Sequence, residues 1–249
     1  MKKKALAMLL ACVMLMGVAI GGSLAWLTDK TEEVKNVFTD SDISITLDES
    51  VDTDVIGEES FKMIPGHTIT KDPEVTVKAG SEACWLFVKV AKKGGVVTYT
   101  PTGGTETTTS WDDFLSYEIA VNNVSKDNVW TQLPAGEAGV LQSGETVYYI
   151  AVEDLSAEGA TDKSYGILAG GEHVSEGVSY TWEPNQVLIK PEVTKEMMNA
   201  LKADPDEYPT LTFTAYATQY YKTGNTEAEA FGYAEAWQKT AGYVEPTTP

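Results

Sequence analysis

Residues 210–218 read Thr-Leu-Thr-Phe-Thr-Ala-Tyr-Ala-Thr, and apolar side chains alternate with polar or aromatic ones throughout. In an extended chain the odd positions from Leu211 to Ala217, which include Phe213 and Ala215, share one face, and Thr212, Thr214 and Tyr216 lie on the other. This period of two predicts a β-strand with one side turned to a core.

Similar patterns recur along most of the chain. Residues 42–48 alternate Ile43, Ile45 and Leu47 with Ser44 and Thr46. Segments bounded by Gly, Pro, Asn or Asp predict further strands at Glu74–Lys78, Ala83–Ala91, Tyr117–Val121, Glu145–Val152, Ser164–Leu168, Val178–Trp182 and Gln186–Lys190. Cys84–Val90 and Val147–Val152 are apolar on both faces, which is typical of central strands. Many strands joined by short turns indicate an all-β sandwich.

Helical signals are short and peripheral. Thr194 is a suitable N-cap for a helix from Lys195 to about Lys202. A second helix is predicted from the capping-box pair Thr226 and Glu229, with a C-terminal stop at Gly242. Its apolar side, which we expect to pack on the sandwich, consists of Ala230, Phe231, Ala234 and Trp237. Ser110 and Asp113 predict one helical turn, and Gly94-Gly95 with Thr100–Ser110 predicts an exposed hairpin tip.

The N-terminus has the layout of a secretory signal peptide. Lys2, Lys3 and Lys4 precede an apolar run over residues 5–20, and Ser23 and Ala25 are small residues suited to the −3 and −1 positions of a cleavage site. An uncleaved anchor would need about 20 apolar residues, and the run has 16. We therefore expect cleavage before Trp26, export from the cell, and no stable membrane insertion afterwards.

Charge limits the partners. The chain has 37 acidic residues and 18 basic ones, all lysine, for a formal charge of −19. Loss of the signal peptide leaves 15 lysines and a charge of −22. Such a chain repels nucleic acid and anionic lipid, so neither is an expected partner. Cleavage of the signal peptide also removes Cys12. The remaining cysteine, Cys84, lies in an apolar strand, so we expect a buried, unreactive thiol and no disulfide.

Residues for catalysis are scarce. The two histidines, His67 and His173, are expected in turns, and no H-E-x-x-H or G-x-S-x-G motif occurs. His173 and Glu176 form only half of an inverted zinc motif. A carboxylate pair for glycoside hydrolysis stays open among the acidic residues. The sequence thus predicts no enzyme and assigns no catalytic residue.

Calcium is the one cation for which the sequence offers candidate ligands. Hard oxygen donors are dense at Asp48, Glu49, Asp52, Asp54, Glu58 and Glu59. An EF-hand alignment starting at Asp52 fails, because Ile56 and Met63 occupy ligand positions. A solvated acidic loop is favoured and no cofactor is expected, with Asp48, Asp52 and Asp54 as the candidate ligands if calcium does bind.

Several segments resemble the TasA/camelysin family of Gram-positive bacteria. They are Gly21–Asp29 (Gly-Gly-Ser-Leu-Ala-Trp-Leu-Thr-Asp), Asn36–Thr39, Ile43–Leu47, Met63–Gly66 and Thr70–Asp72, with further likeness at Val193–Met197 and Leu211–Phe213. The resemblance implies processing by a signal peptidase of the SipW type. It also implies a secreted jelly-roll-like β-sandwich that forms extracellular fibres of a biofilm matrix.

In such fibres the mature N-terminal segment leaves its own subunit and completes a sheet of the next. Here that arm would be Trp26–Thr39, with its apolar residues Trp26, Leu27, Val34, Val37 and Phe38. The expected division is a signal peptide (1–25), the arm (26–39), the sandwich (40–222), and a C-terminal helix with a flexible tail (223–249). The expected partners are other copies in a head-to-tail homopolymer and accessory matrix proteins.

Two alternatives stay open: a monomeric or surface-associated binding module of the same fold, and a camelysin-like metallopeptidase.

Overall fold

The computed structural model describes residues 43–49, 63–121, 130–222 and 229–246. The predicted signal peptide and arm, Asp52 and Asp54, and the proposed cap Thr226 lie outside these ranges. Within them, antiparallel sheets and two short helices make an all-β sandwich, which confirms the predicted fold class.

The strands follow one another with short connections. In chain order they are β1 (Ile45–Asp48), β2 (Thr68–Thr70), β3 (Glu74–Val77), β4 (Cys84–Lys93), β5 (Thr98–Tyr99), β6 (Thr107–Thr108), β7 (Leu115–Ser116), β8 (Glu118–Ile119), β9 (Thr131–Gln132), β10 (Glu145–Val152), β11 (Lys163–Gly166), β12 (Leu168–Ala169), β13 (Gly171–Ser175), β14 (Val178–Trp182), β15 (Gln186–Ile189) and β16 (Thr210–Gln219). The helices are α1 (Lys195–Ala203) and α2 (Tyr233–Gln238), with 3-10 turns at Trp111–Asp113 and Pro205–Glu207.

The largest sheet among the described residues has the strand order β16-β4-β10-β9. β4 pairs with β10 on one side and with all ten residues of β16 on the other. The two interior strands, β4 and β10, are those whose sequences are apolar on both faces. A strand covered on both faces gains burial from every side chain, which explains that composition.

One face of this sheet packs on the main core. Leu86 and Val88 of β4 are fully buried there, opposite side chains such as Val75, Val77 and Ile189. The strands that supply this opposing layer form the sheets β1-β3-β11 and β2-β15-β7 and the pair β8-β12. Burial of these aliphatic side chains from two layers is the main stabilising contribution to the sandwich.

The other face of the large sheet carries a second core. Phe87, Val147 and Tyr216 pack there against Phe231 and Trp237 near the C-terminus. The Trp237 indole donates a hydrogen bond to the Ala138 carbonyl, 3.0 Å away, so its one polar group is satisfied inside an apolar cluster.

The two helix predictions had different outcomes. α1 begins after Thr194, whose hydroxyl accepts a hydrogen bond from the Met197 amide at 3.3 Å, as predicted. The second helix is shorter than predicted: α2 begins after Gly232, and Ala230 instead forms a β-bridge with Tyr221. Pairing with the end of the large sheet satisfies the backbone there, so helix formation starts only beyond Phe231. Phe231 and Trp237 nevertheless both face the sandwich.

Three strand predictions needed correction. Tyr117–Val121 is only the two-residue strand β8, and Ser164–Leu168 is divided at Ile167 into β11 and β12. The chain changes partner at both places, so each short piece pairs with a different strand. The sequence predicts β14 of the β13–β14 hairpin but not β13, because the half-buried face of β13 carries Gly171, His173 and Ser175 and gives no apolar alternation.

Candidate functional site

β16 forms an edge of the large sheet, and no strand within the described ranges pairs with its outer side. It is ten residues long and contains neither a charged residue nor a proline. Proteins usually protect sheet edges with short strands, lysines, prolines or bulges, because an open edge is a template for another chain. β16 is not short, and its sequence contains no lysine and no proline.

Most other edges of the described sheets are short or carry a charge, and the uncharged edge strand β14 has only five residues. β9, at the opposite edge of the same sheet, has only two residues. β11 is four residues long and begins with Lys163, whose ammonium lies 2.6 Å from a Glu153 carboxylate oxygen. β2 has three residues. The long uncharged edge of β16 is therefore the feature that needs a functional explanation.

β16 contributes to both cores, although threonines make up most of the face that carries Tyr216. Phe213, Ala215 and Ala217 contribute to the main core, and Tyr216 to the second core. Burial raises the pKa of the Tyr216 phenol, which therefore stays neutral. Within the described residues the buried Thr218 hydroxyl has no hydrogen-bond partner. A strand added beside β16 would lie next to the main core on one face and the second core on the other.

The described chain holds both ends of β16. The Trp111 indole donates to the Thr210 carbonyl at 2.8 Å. Beyond the strand, the Phe231 amide donates to the Tyr220 carbonyl at 2.7 Å. These contacts fix the strand at each end, so the edge between them is rigid enough to serve as a template.

β1 runs close to β16 without pairing with it. Cα atoms of the two strands approach within 8 Å. Just after β1, Glu49 holds the Lys71 ammonium with contacts of 2.7 and 2.9 Å, and the same ammonium lies 5.7 Å from the centroid of the Phe213 ring. The start of the described chain is therefore anchored beside the β16 edge.

The residues predicted to act in processing, assembly and calcium binding mostly fall outside the described ranges. Ser23, Ala25 and the whole arm lie there, as do Asp52 and Asp54. Asp48 is exposed at the end of β1. No group of three His, Cys, Asp or Glu side chains in the described residues could hold a metal ion. Calcium binding by the acidic loop stays a prediction.

His67 and His173 occupy different surroundings. His67 follows a turn, and its amide donates to the Ile64 carbonyl at 3.0 Å, as predicted. The prediction for His173 is wrong, because it lies within β13, with its Nε2 atom 2.8 Å from a Glu192 carboxylate oxygen. The turn comes three residues later, where Glu176 and Gly177 have φ angles of 49° and 81°.

Cys84 is a buried free thiol, as predicted. It is 0% exposed at the first residue of β4, and burial raises its pKa to about 12. A thiol that is neutral and inaccessible has no nucleophilic role.

No protein family, curated protein or solved structure matches this chain. In the parts of the chain that the structure describes, no helix is long and apolar enough to cross a membrane.

Proposed function

We propose that this chain is a secreted, non-enzymatic structural protein whose copies assemble head to tail into extracellular fibres. In the proposed contact, the arm Trp26–Thr39 of one copy pairs with the outer edge of β16 in the next. The resemblance of the N-terminal segments to the TasA/camelysin family supports the biological setting, a biofilm matrix.

The observation that carries this proposal is the unprotected edge of β16. A ten-residue edge strand without charge or proline is an aggregation liability in a secreted monomer. The same features are an advantage if the edge receives a strand, because backbone hydrogen bonds then form along its whole length.

Length and pattern fit the arm. Ten residues of β16 span about 34 Å, and an extended arm of 14 residues spans about 47 Å, so the arm covers the edge with some chain to spare. An added strand would direct alternate side chains to the two faces of the sheet. The arm has apolar residues at both even-numbered and odd-numbered positions. Val34 and Phe38 would lie on one face of the strand and Val37 on the other.

The proposed contact joins two different surfaces of the chain, which favours an open polymer. The donor segment and the acceptor edge are different surfaces of the same chain, so the contact is heterologous and repeats without closing unless the rotation forms a ring. A single type of contact is then sufficient for a fibre.

The second candidate is a monomeric or surface-associated binding module whose arm pairs with its own β16. The closeness of β1 to β16 favours this candidate, because the arm precedes β1 in the sequence and β1 lies near that strand.

The experiment compares the mature chain, starting at Trp26, with a chain starting at Asp40. Negative-stain electron microscopy and size-exclusion chromatography report fibres and monomers. We expect fibres only when the arm is present, and we expect a peptide of residues 26–39 to bind the shortened chain.

Edge variants test whether β16 is the acceptor strand. Thr214→Lys puts a charge on the half-buried side of β16, and Thr131→Lys puts the same charge on the exposed edge strand β9. The proposal predicts that only the first substitution abolishes fibres. Fibres that persist without the arm contradict the proposal, and a mature chain that stays monomeric under all conditions supports the binding module.

A further inference from the structure

A cleft of about 370 Å³ lies beside β10 and β9 of the large sheet. Tyr148 of β10 and Gln132 of β9 line one wall, and the segment from Leu115 to Val121, which includes Tyr117, lines the facing wall. Its volume is within the usual range for small-ligand pockets. Within the described residues, β9 pairs with β10 at only two positions, Thr131 and Gln132.

One end of the cleft is a rigid aromatic corner. The Trp111 and Tyr117 rings meet edge to face, with centroids 5.6 Å apart and planes at 88°. The Lys92 ammonium lies 5.2 Å from the centroid of the Trp111 ring, and Asp112 holds it with contacts of 2.8 and 3.1 Å. Trp111 is only 6% exposed, so these contacts hold a buried ring in place without help from a ligand. The half-buried rings of Tyr117 and Tyr148 supply the aromatic surface that the cleft presents.

Neutral hydroxyls and planar polar groups complete the lining. Burial raises the pKa of both Tyr117 and Tyr148, and the nearby Glu118 carboxylate raises each further. The two phenols therefore stay protonated and can both donate and accept hydrogen bonds. Gln132 offers an amide, and Lys190 has no carboxylate within ion-pair distance in the described residues.

We propose that this cleft binds a neutral sugar unit of a glycan. A pyranose has an apolar face of C–H groups that packs on aromatic rings, and its hydroxyls both donate and accept hydrogen bonds. Rings with adjacent carboxylate, amide, ammonium and phenol groups match both properties.

Other ligand classes fit less well. Asp112 and Glu118 would repel a phosphate or another anion brought to Lys190. An apolar ligand would leave the polar side chains of the cleft without water or partners. The short 3-10 turn at Trp111–Asp113 offers no anion site, because its Ser110 amide already donates to the Asp113 carboxylate at 2.7 Å.

The cleft and the assembly edge are different surfaces that meet at one residue. The cleft is lined by β9 and β10, and assembly is proposed at β16, but the cleft residue Trp111 donates to the Thr210 carbonyl at the start of β16. The sugar proposal does not require fibres, and the arm-deleted chain tests it with no arm present beside Thr210.

The test titrates the mature chain with four neutral tetrasaccharides, made of β-linked glucose, α-linked glucose, mannose and N-acetylglucosamine. Isothermal calorimetry and tryptophan fluorescence report binding. We expect at least one to bind, and inorganic phosphate neither to bind nor to compete. Gln132→Ala and Tyr148→Phe should each lower the affinity by about two- to tenfold, the effect of one lost hydrogen bond.

Matched controls are available. Tyr149→Phe changes the adjacent tyrosine of β10, which lies on the other face and stacks on Tyr233 at 4.5 Å. Gln142→Ala changes an exposed glutamine away from the cleft. Both should leave the affinity unchanged. The proposal is overturned if no tetrasaccharide binds at millimolar concentration, or if binding survives both cleft substitutions.

Discussion

At the residue scale, Cys84 shows how burial decides reactivity. The thiol is 0% exposed, and its pKa of about 12 leaves very little thiolate at pH 8. In a chain that starts at Trp26 it is the only cysteine. We predict no reaction with a disulfide reagent such as DTNB at pH 8 in the native state, and one reacting thiol per chain in denaturing urea. Rapid reaction of the native protein would contradict this assignment.

The same position tests the polarity of the main core. Cys84→Ser replaces a weakly polar thiol with a hydroxyl in an apolar site, which costs about 1–3 kcal/mol when the hydroxyl finds no partner. Equilibrium urea unfolding measures the loss. Glu82→Ala, at a half-buried neighbouring position, serves as the control and should change the free energy of unfolding little.

At the element scale, α2 depends on one side chain. A helix of six residues without a side-chain cap is too short to be stable alone, so packing must hold it in place. Trp237 supplies that packing: it is 0% exposed and its ring lies 5.3 Å from Phe87 and 5.5 Å from Tyr216. We predict that Trp237→Ala lowers the free energy of unfolding by about 3–5 kcal/mol.

Gln238→Ala is the matched control, since Gln238 is exposed on the same helix. Urea unfolding of both variants should show a large loss for the tryptophan and almost none for the glutamine. A loss below about 1 kcal/mol for Trp237→Ala would mean that the second core contributes little, contrary to its burial.

Strand patterns show what can be predicted locally. The alternation in Thr210–Thr218 and the apolar run Glu145–Val152 give β16 and β10 with nearly correct bounds, because side-chain burial follows the backbone period. The point at which a strand changes its pairing partner depends on strands distant in sequence. The local hydrophobic pattern therefore could not divide Tyr117–Val121 or Ser164–Leu168. The pattern also failed for β13, whose half-buried face carries Gly171, His173 and Ser175 instead of apolar side chains.

The two functional surfaces depend on topology. Nothing in the β16 sequence shows that it lies at an edge, since an interior strand would alternate in the same way. The cleft brings Trp111 close to Tyr148, and the sequence separates them by many residues and several turns. The sequence therefore identifies the arm by resemblance, whereas only the sheet order identifies its proposed acceptor.

At the scale of the whole molecule, charge opposes assembly. Each mature chain carries −22, so identical copies repel one another at long range, although β16 itself has no charge. The range of that repulsion shrinks from about 30 Å at 0.01 M salt to about 3 Å at 1 M. Lower pH also removes negative charge as carboxylates protonate, toward a pI that is about 4.4 for the full chain and lower once the three lysines of the signal peptide are lost.

We therefore predict that the critical concentration for fibre formation falls with added salt, and falls again as the pH drops from 7 toward the pI. Light scattering and negative-stain electron microscopy across a salt and pH grid measure it. The arm-deleted chain is a well-matched control. Residues 26–39 contain three acidic residues and two lysines, so removing the arm changes the formal charge by only one. If this control aggregates at the same salt and pH as the mature chain, the response is isoelectric precipitation and not arm-dependent assembly. Regular fibres from the mature chain, with the control still monomeric, would show that screening permits a specific contact at an uncharged edge.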